Sequence, residues 1–268
     1  MIDLMNRLID AGAKPQVVYI TGGWLDVNDA SHVNATLLNV SGSGSIMGTA
    51  RSHTASNAGT GATVGNSDYT SGSHGGVGLY DDHPSHVWGA MYGSTFEPTS
   101  VGSGSKDVKG GAAVRLTAET LVLDGSIAVD GGTAGNRGGG AGGSVWVSAG
   151  VLRGSGGSIS AAGGTGSGTN RPGGGGGRVA VYCGSSEYAG TWSGFAGLPS
   201  VSVSGGYSTL NTRVGGSGTA YFECGAADRA LVLSNALAGH ATAHTTKLVD
   251  DGMSSYSFGH VRLYHYAV

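Results

Sequence analysis

The chain has 268 residues and a formal charge of −3 from 14 basic and 17 acidic side chains, with no Lys/Arg-rich block, which excludes the electrostatic footprint of a nucleic-acid binder. Glycine supplies 54 residues, about one in five against a usual ~7%, and charged residues fall to 12% against a usual ~25%. Only 5 prolines and no Gly-X-Y period exclude collagen, and 39% apolar residues exclude a disordered tail, which leaves a folded, glycine-rich body packed with small residues. Residues 1–18 come first as a helix-like segment or cap, with Met1, Leu4, Met5, Leu8 and Ile9 on one side. Asp3 and Asp10 stand where a signal peptide would be basic and then apolar, so either the start was cut from a longer exported protein or it is a short amphipathic helix. No run of 18 apolar residues predicts a membrane span.

Residues 19–268 read as one glycine-rich body. Asn34-Ala35-Thr36 and Asn39-Val40-Ser41 are glycosylation acceptor sequons, meaningful in an exported eukaryotic chain. Residues 66–105 read as a surface loop holding the densest polar cluster, Asp81-Asp82-His83-Pro84-Ser85-His86, preceded by His74 and followed by Trp88 and Tyr92. Imidazole and carboxylate suit zinc or manganese, but no second ligand cluster is fixed by the sequence and Pro84 marks a turn. No metal is assigned; His83, His86, Trp88 and Tyr92 stand as candidate ligand contacts, with Trp192 and Tyr207 as further exposed aromatics.

Apolar residues then alternate in pairs: Val114 and Leu116, Leu121 and Leu123, Ile127 and Val129, Val145 and Val147, Val179 and Val181, Val201 and Val203. Period two with β-branched residues predicts short strands of 4 to 6 residues with one inward face. The segment Leu123 to Val147 realigns with Leu152 to Val181, placing Ile127 on Ile159, Val145 on Val179 and Val147 on Val181. The runs Gly138 to Gly143 and Gly173 to Gly177 fall at one phase of this repeat. A flexible linker has no reason to recur in phase, whereas side-chain-free segments can lie side by side and bond laterally in a threefold, polyproline-II-like form. The fold predicted is all-β: a parallel β-helix or β-solenoid with laterally packed polyglycine segments. Aligning Val181 with Phe222 puts Cys183 and Cys224 at one position of different units, within disulfide reach if those units are neighbours. A bridge is favoured in a secreted protein and two buried thiols in a cytosolic one.

Catalytic motifs are weak. Gly138 to Gly143 satisfies G-x-G-x-x-G, but a strand follows where a dinucleotide site needs a helix. No G-x-S-x-G elbow occurs, and Asp124, Asp130 and Asp228 lie at turns without a shared phase. No enzyme activity and no cofactor are expected.

The motif order S-H-G-G (Ser73 to Gly76), Y-G-S (Tyr92 to Ser94), G-G-A-A-V-R-L (Gly110 to Leu116), L-D-G-S-I-A-V-D-G-G (Leu123 to Gly132), G-G-G-A-G-G-S-V-W-V (Gly138 to Val147) and G-G-G-G-G-R-V-A-V-Y (Gly173 to Tyr182) resembles the glycine-rich repeat module of very large secreted or surface proteins of bacteria, algae and other protists. The resemblance covers the chain from about residue 22 onward and implies a location at the cell surface or outside the cell. It also implies a structural, adhesive or appendage-building role, with self-association, other surface proteins or glycans as partners. A receptor- or glycan-binding tip and a polysaccharide-active β-helix enzyme are the alternatives.

Overall fold

A computed structural model describes residues 17–52, 70–78, 89–133, 135–168, 171–192, 195–208, 214–225, 228–234 and 258–264. Residues 1–16 of the helix-like cap lie outside it; Val17 and Val18 belong to a strand. Fifteen strands and no helix occur among the described residues. They are β1 (Val17–Ile20), β2 (Trp24–Asp26), β3 (Ala30–Val40), β4 (Ser45–Met47), β5 (Ala113–Leu123), β6 (Ser126–Ala128), β7 (Ser144–Gly154), β8 (Ser158–Ser160), β9 (Arg178–Tyr188), β10 (Thr191–Trp192), β11 (Phe195–Ala196), β12 (Ser200–Ser202), β13 (Thr219–Cys224), β14 (Asp228–Ser234) and β15 (His260–Tyr264).

The long strands form an eight-stranded sheet in the order β1-β3-β5-β7-β9-β13-β14-β15, and the short ones a five-stranded sheet, β12-β8-β6-β4-β2. Alternation decides which side chains meet. Val33, Leu116, Val147, Val181 and Phe222 point inward from the large sheet and Ile46, Ile127, Ile159 and Val201 from the small one, all buried in one apolar cluster. Residues aligned by the sequence repeat are ladder partners: Val145 with Val179, Val147 with Val181, and Ile127 with Ile159. The strands are longer than the predicted 4 to 6 residues, because β3, β5, β7 and β9 each run through 11. Each is continuous through a bend where the register skips, at Thr36, Glu119, Gly150 and Gly184. The bend shifts the phase of the inward face, so Ala118 is followed inside by Leu121 and Ala149 by Leu152. That shift made one strand look like two in the sequence.

The chain does not wind into the predicted parallel β-helix or β-solenoid. Both sheets are open, and the larger is mixed: after Gly225, at φ 77°, β14 turns back antiparallel on β13. The glycine segments leave the coil path as well, because they bond in three directions and a coil bonds along one axis. Along 138–143 the amides of Gly139 and Gly142 donate to Pro172 and Gly175, those of Gly140 and Gly143 to Gly132 and Val129, and that of Ala141 to Ser103. Along 173–177 the amides of Gly174 and Gly177 donate to Gly164 and Ala161, Gly175 to Gly72 and Gly176 to Gly216. Residues 70–78 and 102–105, from the long excursion between β4 and β5, are thus neighbours of glycine runs far away in sequence. At most of its glycines the array has no room for a side chain. A Cβ on Gly139 would overlap the carbonyl oxygen of Gly164, and one on Gly174 that of Gly140.

Gly174→Ala therefore forces backbone apart and is expected to lower stability in urea denaturation by about 1–3 kcal/mol, the usual size of an overpacking penalty. Gly135→Ala, where an added Cβ meets nothing within 4 Å, is expected to leave the midpoint unchanged.

Candidate functional site

Chemistry-bearing side chains converge where residues 92–105 cross the outer face of the large sheet beside the glycine array. Arg178 opens β9 directly after a glycine run and is fully buried. Its Nε donates to the Tyr92 carbonyl at 2.9 Å, and its Nη1 donates to the hydroxyls of Thr95 at 3.0 Å and Thr219 at 2.9 Å. A guanidinium has five fixed donors and no acceptor, so burial requires oxygens in its plane. The loop supplies two of them and the neighbouring strand β13 one. Ser144, the ladder partner of Arg178 on β7, reaches the same segment by donating to the Ser100 carbonyl at 2.6 Å. Farther along β9, the Tyr182 hydroxyl donates to the Phe96 carbonyl at 2.9 Å.

His74 lies beneath, wholly enclosed. Its Nδ1 is 2.8 Å from the Gly142 carbonyl, and because that oxygen only accepts, the ring carries its proton on Nδ1. Nε2 is buried and has no hydrogen-bond partner among the described residues. Burial, with the Arg178 charge adding to it, holds the imidazole pKa down at about 3. The Tyr92 ring sits 4.7 Å from it, centroid to centroid, and the Tyr92 hydroxyl donates to the Val101 carbonyl at 2.6 Å and lies 2.8 Å from the Ser103 hydroxyl. Burial pushes the phenol up to about 12. The cluster is thus a neutral imidazole, a protonated phenol and a charged guanidinium, all turned inward. It fastens the 92–105 segment to the glycine array and to the sheet.

The other sequence candidates are placed separately. His83, His86 and Trp88 lie outside the described residues. Tyr92 is described, with its hydroxyl engaged inward. Asn34 and Asn39 sit within strand β3, and the Oδ1 of each is buried without a hydrogen-bond partner. Cys183 and Cys224 are ladder partners of β9 and β13, their Cα atoms 4.4 Å apart, and are joined by a disulfide. Tyr207 is exposed, and Trp192 lies in β10. Asp124 accepts from the amides of Ser155 at 2.7 Å and Gly156 at 3.3 Å, bonds that hold its carboxyl below the usual range. Asp130 accepts from the Ser160 hydroxyl and from the Ala162 amide at 2.7 Å; burial, the largest influence, raises its pKa. Both carboxylates tie one unit's turn to the next.

Sequence reasoning missed Arg178, and it noted His74 only as the residue preceding the Asp81–His86 cluster. The signal for Arg178 was available: it occupies the repeat position held by Ser144 in the preceding unit, a large cation where a small hydroxyl should suffice. His74 stood out only by its place ahead of that cluster and in the S-H-G-G motif, and nothing there pointed to its burial.

Among the described residues, no group of three His, Cys, Asp or Glu side chains is placed to hold a metal ion, and no helix is long and apolar enough to cross a membrane. No family model, curated protein or solved structure matches the chain.

The buried histidine sets an acid dependence. Its pKa is near 6.5 in the unfolded chain and about 3 in the folded one, so the unfolded state binds the extra proton between those values. Its contribution is complete above pH 6.5 and is lost as pH falls toward 3. Stability by urea titration should decline across pH 6.5 to 5, by on the order of 1 kcal/mol per pH unit for one such group, and His74→Gln should flatten that slope whatever its effect at neutral pH. Reducing the Cys183–Cys224 bridge, or replacing both residues with alanine, should cost about 2–4 kcal/mol in the same assay.

Proposed function

We propose that the chain is a non-enzymatic structural or adhesive module of the cell surface or extracellular space, a stiff block that joins copies of itself or other surface proteins into an appendage. The observation that carries this reading is the three-directional hydrogen-bonded glycine array, which ties segments from residue 72 to residue 216 to one another through main chain. A block cross-linked in several directions resists shear and extension better than one bonded along a single line. The motif order resembling the glycine-rich modules of surface proteins supports the same role, and a structural disulfide suits an oxidising compartment.

The ends of the large sheet supply a route to assembly. Among the described residues β1 pairs only with β3 and β15 only with β14, so within the described sheet each stands at an edge. Both edges carry exposed apolar side chains: Val17 at 48% and Tyr19 at 62% on β1, and Val261 at 54% and Leu263 at 57% on β15. An uncovered apolar edge is a template for a further strand. Placing β1 of one copy against β15 of another continues the sheet in antiparallel sense, since β14 and β15 run opposite to the strands before them.

Sedimentation and negative-stain microscopy over a concentration series test the reading. Linear oligomers that shorten in Tyr19→Lys and Leu263→Lys, at unchanged melting temperature, are expected. A particle that stays monomeric at every concentration and salt would overturn self-assembly.

A further inference from the structure

A second site lies on the small sheet. Strand β2 is the edge of that sheet and pairs with β4 through Trp24–Ser45, Leu25–Ile46 and Asp26–Met47. Alternation sends Leu25 toward the core with Ile46 and leaves Trp24 and Asp26 on the outer face. Trp24 is 61% exposed and Met47 38%, an unusual placement for the largest apolar side chain. Beside them the Arg51 guanidinium donates to Asp26 through Nε to Oδ1 and Nη2 to Oδ2, both at 3.2 Å, a planar two-bond pair. The Arg51 backbone is anchored in turn, its carbonyl accepting from the Asp29 amide at 3.0 Å. Trp24, Asp26, Met47, Thr49 and Arg51 line a hollow of 240 Å³, smaller than a drug-sized pocket and suited to a single ring.

The ladder continues this site across the sheet. Ser45, Ser126, Ser158 and Ser200 stand opposite one another on successive strands, in the row that Trp24 begins. Met47, Ala128, Ser160 and Ser202 follow Asp26 in the next row. The outer face is thus lined by small, hydroxyl-bearing side chains, with one step per strand of ~4.8 Å, close to the length of a pyranose in an extended chain.

We propose that this face binds a neutral, extended β-1,4-linked polysaccharide. One sugar lays its C–H face on the Trp24 indole. Its neighbouring hydroxyls donate to the Asp26 carboxylate and accept from the Arg51 guanidinium, with Thr49 alongside. The following sugars run across the strands over the serine row. The ion pair is neutral overall, which favours an uncharged sugar over a uronate. The proposal does not rest on the edge-to-edge assembly above.

The test uses the full chain, with tryptophan fluorescence and calorimetric titration against cello- and chito-oligosaccharides of two to six units and against polygalacturonate. Saturable binding of a neutral oligosaccharide that tightens with chain length is expected, with the cello and chito series separating a glucan from an amino-sugar ligand. Trp24→Ala should weaken it by roughly tenfold, the scale of a lost aromatic contact. Ser126→Lys, in the middle of the row, should abolish the gain with length while leaving disaccharide binding in place. Circular dichroism and melting temperature confirm that both variants fold. No saturable binding to either neutral series, binding unaffected by Trp24→Ala, or salt-sensitive binding to polygalacturonate alone would each overturn the proposal.

Discussion

Main chain approaching main chain without an intervening side chain is the constraint on which the architecture depends. In an ordinary domain side chains set the distance between elements, and backbone polar groups are satisfied within sheets or helices. Here the array formed by residues 138–143 and 173–177 with their neighbours is satisfied between elements, each amide aimed at a different adjoining segment in turn. Fixing a glycine costs roughly 1–2 kcal/mol of backbone entropy, so such segments hold still only where every turn of the pattern finds an acceptor. The apolar core does the complementary work. Ile46, Ile127, Ile159 and Val201 press against the long strands, set the register, and thereby bring each glycine run to the phase at which its neighbours can receive it.

Much of the register was legible in the sequence and little of the overall path. The offset between repeats identified ladder partners because β-branched residues alternate strictly on one face, and a one-residue slip would bury polar side chains. The same alternation misled at the bends, where a skipped pairing at Glu119 and Gly150 broke the period inside a continuous strand. The reversal at Gly225 was invisible, because a parallel and an antiparallel partner demand the same inward residues. Equally hidden was the use of residues 70–78 and 102–105 as members of the glycine array. Short Gly-Ser segments carry no mark of whether they bond to each other or to water, and only their neighbours decide it.

The polar cluster and the tryptophan edge show two uses of the same sheet geometry. Arg178 replaces a serine in its ladder and so needs a cover, which the 92–105 segment provides with carbonyl and hydroxyl oxygens. An inserted loop becomes part of the body, with a buried cation among its ties. At Trp24 the ladder ends, among the described residues, without a further strand, and a large ring is left facing outward at the edge of a serine row. Residue size against the repeat, more than residue type, distinguishes both positions from their surroundings.

The three-way bonding of the glycine segments also bears on how long such a molecule would persist. A protease binds its target as a single extended strand and reads side chains on either side of the scissile bond. Here the chain can be drawn into a cleft only by tearing it from three neighbours at once, and it then offers the enzyme no side chain to grip. Resistance to digestion thus follows from the lattice itself, and wear would be confined to the connections at its margins.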